Sequence, residues 1–426
     1  MKPAVILPQT KQMNQPLKKW LQISLFNLIL IALLGSLMRY KIAYAFPFVD
    51  QRNLLHAHAH FAFAGWVTQA LMSLLVHCLK EKGLENAFKK YRPVLLANLF
   101  TAYGMLLTFP FVGYAFLSIV FSTLCIFASY WFAVMYWRDL NRLAAKNSSN
   151  RSFKAAVLFN ALSSVGPFLL AFMLATKHIQ PDRYLASVYF FLHFQYNGWF
   201  FFACLGLLIH QLTKYGVSDQ PLKRVYFLFV TACVPAYFLS ALWLPVARWV
   251  YVLVVAAVIL QLIGWWVLIQ ILRKPVPLIQ NRFTQLSRIL FVLCAVALTI
   301  KLCLQAGSVI PSLSKLAFGF RPIVIGYLHL VLLGVITLFI LAYMTGLQLI
   351  PVNKITRAGI IVFTAGIIIN EILLMIQGIA DLNYNAIPVI NPLLFVAALI
   401  LFFGIAIIVY SQRFPGDEHR VNLKIL

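Results

Sequence analysis

Long apolar segments separated by short polar ones dominate the chain. The apolar segments, called spans 1 to 12, cover residues 20–38, 57–79, 93–109, 112–137, 155–176, 185–211, 224–244, 248–271, 287–306, 321–349, 358–378 and 392–412. A bilayer core of about 30 Å requires about 20 residues of helix at 1.5 Å each, and a backbone in lipid must satisfy its own hydrogen bonds. The pattern therefore predicts an all-α polytopic membrane protein with 12 transmembrane helices, forming a single membrane domain over residues 1–426.

The positive charge falls mainly on alternate polar segments. If the N-terminus is inside, 26 of the 35 lysines and arginines lie in inner segments and nine in outer ones. Cytoplasmic loops carry such an excess. We therefore predict that both termini are cytoplasmic, with residues 1–19 as an N-terminal segment and 413–426 as a tail. Because no small-residue cleavage site follows span 1, we expect that span to be retained, and we expect the chain to lie in the cell inner membrane.

The composition changes this picture little. Hydrophobic residues make up 62% of the chain and its net charge is +25. The loop lysines and arginines account for that charge, and no basic groove with interleaved aromatic residues indicates nucleic-acid binding. The six cysteines lie in or beside apolar runs without CxxC spacing, which is typical of buried packing residues rather than disulfides or zinc ligands.

One short motif, a histidine, four residues and a glycine, occurs in spans 2, 6 and 10. The copies read HFAFAGW from His60, HFQYNGW from His193 and HLVLLGV from His329. They are 133 and 136 residues apart. In the predicted orientation these three spans enter from outside, and His193 and His329 lie about 12 Å below their helix starts. We therefore predict that the three helices build one buried site in the outer half of the membrane.

Histidine inside a membrane is costly and so marks a functional site. Neutral imidazole is a common ligand of transition metals and haem iron, and the alternative for any one copy is a hydrogen-bonded contact between helices. Span 2 carries His56, His58 and His60. At 100° per residue, His56 and His60 share a face and His58 points nearly opposite. Candidate metal ligands are therefore His58, His60, His193 and His329.

Arginines on the predicted outer side are candidate partners for an acidic group at this site. Arg248 and Arg321 lie there, and either could pair with haem propionates, whose carboxylates are costly near a membrane. The alternative is that both side chains reach the membrane surface.

Twelve helices, cytoplasmic termini and histidines on spans 2, 6 and 10 resemble the catalytic subunit of the haem-copper oxidase superfamily, which includes nitric oxide reductases. The resemblance implies three pseudo-repeats of four helices. It also implies a low-spin haem, expected to be b-type, held by span 2 through His56 or His60 and by His329 on span 10. His193 is similar to the span 6 ligand of the non-haem metal, copper or iron.

The sequence departs from that superfamily at two points. Span 7, residues 224–244, lacks the expected pair of adjacent histidines, and Tyr327 stands where the first histidine of a His-x-His pair is expected. The oxygen- or nitric oxide-reducing centre is therefore expected to be lost. The His58-Ala59-His60 segment through Gly65 is also similar to NnrS-like membrane proteins, a haem- and copper-binding group linked to nitric oxide stress.

The resemblance implies a haem-binding membrane protein that transfers electrons, from a quinol or cytochrome donor, or handles a small gas such as nitric oxide. If it is an enzyme, it is an oxidoreductase. Two other hypotheses stay open. One is a secondary transporter, favoured by Glu371 and Pro235 within spans. The other is a scaffold subunit without cofactors.

Overall fold

The computed structural model describes residues 15–143, 147–273, 283–314 and 320–416. Their main helices, numbered in chain order, are α1 (Gln15–Tyr44), α2 (Gln51–Glu81), α3 (Ala87–Val112), α4 (Phe116–Arg142), α5 (Ser148–Ala175), α6 (Pro181–Lys214), α7 (Asp219–Cys233 and Pro235–Ala241), α8 (Arg248–Arg273), α9 (Gln285–Gly307), α10 (Arg321–Gly346), α11 (Lys354–Leu382) and α12 (Ile390–Ser411). Eleven of them are long and apolar enough to cross a membrane. The two pieces of α7, bent by 44° at Val234, give a twelfth if they form one span.

The predicted all-α membrane fold is confirmed over the described residues. The largest change in a boundary near the motifs is at α2, which begins at Gln51 rather than at residue 57, because Asp50 accepts a hydrogen bond from the Asn53 N–H and caps the helix. α1 continues to Tyr44 and so includes Arg39. The cytoplasmic location of the termini and the three-repeat arrangement stay predictions, and residues 1–14 and 417–426 lie outside the described residues.

Each of the three motif helices changes from α- to π-helix just after its histidine. The π-helical segments are Ala62–Thr68 in α2, Phe194–Phe200 in α6 and Leu330–Thr337 in α10. Each contains the motif glycine. Such segments insert one extra residue per turn and occur frequently at functional sites. The segment begins two residues after His60 and one residue after His193 and His329, a structural likeness that the spacing of the motif did not predict.

The π-helical segments bring the three motif helices together in the core. The Trp66 indole N–H of α2 donates to Thr337 Oγ1 of α10 at 3.0 Å. The Trp199 indole N–H of α6 donates to Thr68 Oγ1 of α2 at 3.1 Å. The segments of α6 and α10 also contact each other. α2 and α6 are accordingly the most buried of the candidate spans, whereas α4 is the least buried.

Candidate functional site

Two histidines from different helices come together beside α1. His58 of α2 and His329 of α10 lie within electrostatic range of each other, and Arg39 of α1 lies within range of both. α1 packs against α2 and α12, α12 against α11, and α11 against α10. The two imidazoles therefore lie on a side of the bundle built from these five helices.

The two imidazoles are held in the same way. His58 Nδ1 lies 3.1 Å from the Ile31 carbonyl oxygen of α1, and His329 Nδ1 lies 2.8 Å from the Ile325 carbonyl oxygen of its own helix. A carbonyl oxygen only accepts, so Nδ1 carries the proton in each neutral ring and Nε2 keeps its lone pair. No described residue hydrogen-bonds to either Nε2. This is the usual arrangement of metal-binding histidines, whose other ring nitrogen donates to a carbonyl or carboxylate.

The two histidines lie inside the helix bundle, but neighbouring side chains do not pack fully around them. His58, Tyr327 and His329 are enclosed by the bundle, yet each is only half-buried by neighbouring side chains. None of the residues of the first part of α10, Arg321–His329, is fully buried. Gly35 of α1 adds room, because a Cβ there would lie 3.3 Å from His58 Cε1. Space that side chains do not fill therefore remains beside both rings, and we call this space the cavity.

Two arginines add positive charge on this side of the bundle. Arg39 lies within electrostatic range of both histidines and of Arg321, the first residue of α10. Neither arginine forms an ion pair with a carboxylate of the described residues. Adjacent cations without an acid favour an anionic group between them. Arg321 and Arg248 are both exposed, but Arg248 begins α8, which packs against α7 and α9 rather than against the helices of the histidine pair.

His56 and His60 face away from this cavity, as the helical period predicted. Both rings contact Tyr114 in the turn between α3 and α4, and His60 stacks on Phe109 with ring centroids 4.6 Å apart. Burial raises the pKa of Tyr114 to about 12, so its hydroxyl stays protonated at neutral pH. That hydroxyl lies 3.0 Å from His60 Nε2 and can donate to it. The structure therefore places His58, rather than His56 or His60, beside His329.

His193 lies at a third place, against the break in α7. Its Nε2 lies 2.8 Å from the Cys233 carbonyl oxygen, and its Nδ1 lies 3.1 Å from Asn197 Nδ2. Pro235 has no N–H and begins the second piece of α7, and His193 hydrogen-bonds the carbonyl of the last residue of the first piece. Both ring nitrogens of His193 are therefore occupied by protein groups. Lys301 of α9, which is buried, also lies within electrostatic range and would repel a metal cation.

The three motif histidines thus do not form one site. Their helices meet, but His60 faces the α3–α4 turn, His193 faces α7 and His329 faces the cavity beside α1. Sequence reasoning also missed Arg39 and Gly35 as parts of the site. The sequence signal for Arg39 was weak, because the first apolar run ended at residue 38 and left this arginine just outside the predicted span.

The chain is thus a polytopic helical membrane protein with a histidine pair between its helices and, nearby, two arginines that form no ion pair with a carboxylate of the described residues. A scan of the chain against protein-family models matched none, and a search of curated proteins found no match.

Proposed function

We propose that the chain is a haem-binding membrane protein of the haem-copper oxidase type and that it transfers electrons. The observation that carries the proposal is the pairing of His58 with His329. Two imidazoles on separate helices present free Nε2 atoms to one cavity, and backbone carbonyls fix both rings. His58 and His329 would hold the haem iron, and Arg39 and Arg321 would pair with its propionates.

The residues present fit such a group in three respects. The ligand nitrogens have the correct tautomer, the space beside the two rings is not filled by side chains, and the two arginines lack an acid partner among the described residues. When bound, haem supplies one-electron redox chemistry. Gly35 leaves room for the His58 ring, and the enclosing helices keep bulk water from the pair.

Electron transfer is favoured over gas handling because two histidines, rather than one, would hold the iron. A small gas needs an open position on haem iron, and a pair of imidazole ligands would leave none. The second metal suggested by the resemblance is not supported at His193, since both of its ring nitrogens already have protein partners.

The test is the visible spectrum of the full-length chain, purified in detergent from haem-replete cells. We expect about one haem per chain, a sharp reduced-minus-oxidised difference band, and no change when carbon monoxide is added to the reduced protein. A preparation without haem would overturn the proposal and favour the transporter or scaffold hypothesis. A spectrum that shifts with carbon monoxide would instead favour gas handling.

A further inference from the structure

A second group of ligand-type side chains lies at the opposite ends of α2 and α6 from His58 and His193. Cys78 Sγ, a carboxylate oxygen of Glu81 and a ring nitrogen of His210 all lie within 4.8 Å of one another. Two helices contribute to the group, because Cys78 and Glu81 are one turn apart on α2 and His210 is on α6. We call these three residues the Cys–Glu–His cluster.

Glu81 is the centre of the cluster. Its Oε2 lies 3.0 Å from His210 Nε2, and its Oε1 lies 2.8 Å from Lys214 Nζ. His77 Nε2 lies 3.9 Å from the same Oε1. Glu81 therefore already links α2 to α6 through an ion pair. The thiol of Cys78, which is fully buried, is not needed for that ion pair.

The ligand types and their spacing match a zinc-type ion. Tetrahedral Zn²⁺ takes thiolate, imidazole and carboxylate ligands at about 2.0–2.3 Å, which places ligand atoms roughly 3.3–3.8 Å apart. The observed atoms lie within 4.8 Å, so small side-chain rotations would bring them into place. Mixed nitrogen, sulfur and oxygen ligands favour a borderline ion such as Zn²⁺ over Mg²⁺ or Ca²⁺.

We propose that Cys78, Glu81 and His210 bind one zinc-type divalent cation that joins α2 to α6, with a water molecule in the fourth position. Binding releases the Cys78 thiol proton to solvent, since the thiolate is the ligand. Lys214 stays on the other carboxylate oxygen as an outer partner of the ligand. The proposal does not depend on haem binding at the other end of these helices.

A substitution at Lys214 distinguishes a metal site from a cluster that is held together only by an ion pair. Lys214 is 43% exposed, so its charge can be removed without leaving a cavity. The change Lys214→Gln keeps a hydrogen-bond donor but removes a positive charge that repels a bound cation. We expect it to tighten metal binding by about tenfold. A cluster held only by the Glu81–Lys214 ion pair would gain nothing from this change.

The experiment uses the full-length chain in detergent, freed of metal by a chelator and titrated with Co²⁺, followed by competition with Zn²⁺. The proposal predicts one equivalent of Co²⁺ and a thiolate-to-cobalt absorption band. The band is expected to be lost in Cys78→Ser and kept in Cys204→Ser, the matched change at a buried cysteine of α6 outside the cluster. We expect Glu81→Gln to weaken binding by at least about tenfold.

Two results would overturn the proposal. One is the absence of a thiolate band in the wild-type chain at stoichiometric Co²⁺, or a band that survives in Cys78→Ser. The other is weaker or unchanged Co²⁺ binding in Lys214→Gln. Circular dichroism and a single gel-filtration peak establish that each variant is folded, and Lys214→Gln decides the question if Cys78→Ser does not fold.

Discussion

Replacing His58 or His329 with alanine will remove haem from the purified chain, whereas replacing His60 with alanine will leave it bound. Both of the first two side chains present a free Nε2 to the cavity between α2 and α10. His60 lies two residues from His58 but binds Tyr114 outside that cavity. Even partners of metal ligands change affinity by about 10–100-fold, so loss of an axial ligand should lower haem occupancy by at least about tenfold.

The measurement is haem per chain, from the pyridine haemochrome spectrum and protein concentration of each variant. His60→Ala is the matched control, because it makes the same change on the same helix. Loss of haem in His60→Ala, together with retention in His58→Ala, would place the axial ligand on the other face of α2. If all three variants keep their haem, His58 and His329 are not its ligands.

Replacing Asp139 with alanine will destabilise the folded chain strongly. Asp139 is 4% exposed near the end of α4, and its two carboxylate oxygens lie 2.5 and 2.6 Å from Lys90 Nζ of α3. The Tyr91 hydroxyl donates to the same carboxylate at 2.8 Å. Removing one member of a buried ion pair typically costs about 3–5 kcal/mol. We expect about 3 kcal/mol, the lower end of that range, because Lys90 is 35% exposed and can reach water.

Thermal unfolding in detergent tests this expectation. Four cysteines are buried, namely Cys78, Cys204, Cys233 and Cys294, so a thiol-reactive dye reports on unfolding. The matched control is Asp182→Ala, at an exposed aspartate near the start of α6. A midpoint for Asp139→Ala equal to that of Asp182→Ala would show that the ion pair contributes little.

The helices could be predicted from sequence because a bilayer requires long, unbroken apolar runs. Their ends could not be placed as well. The segment from Gln51 to Leu55 is polar at its start and falls below an apolar threshold, but the Asp50 cap makes it helical. Arg39 was likewise placed outside its helix, although it lies on α1 beside the site. An apolar pattern cannot show that a helix continues into polar residues at its ends.

The site could be predicted in part. The helical period correctly separated His58 from His56 and His60, but it could not show which face of α2 turns toward α10. The rotation of a helix about its axis depends on its neighbours, here Ile31 and Gly35 of α1, which lie 27 and 23 residues away in the chain. Such contacts leave no trace in the motif itself.

His193 shows a different limit of the sequence. The motif made it equivalent to His60 and His329, and the absence of histidines in span 7 indicated an incomplete metal site. Its actual partners are the Cys233 carbonyl oxygen and Asn197. A backbone carbonyl that loses its helical hydrogen bond at a helix break cannot be recognised from the residue type, although Pro235 marked the position of the break.

If His58 and His329 hold a haem from two sides, low-temperature electron paramagnetic resonance of the oxidised, purified chain will show a low-spin ferric signal of the bis-imidazole type. We expect this signal to be lost in His329→Ala and kept in His60→Ala. A high-spin signal, or no haem signal from protein made under haem-replete conditions, would contradict it.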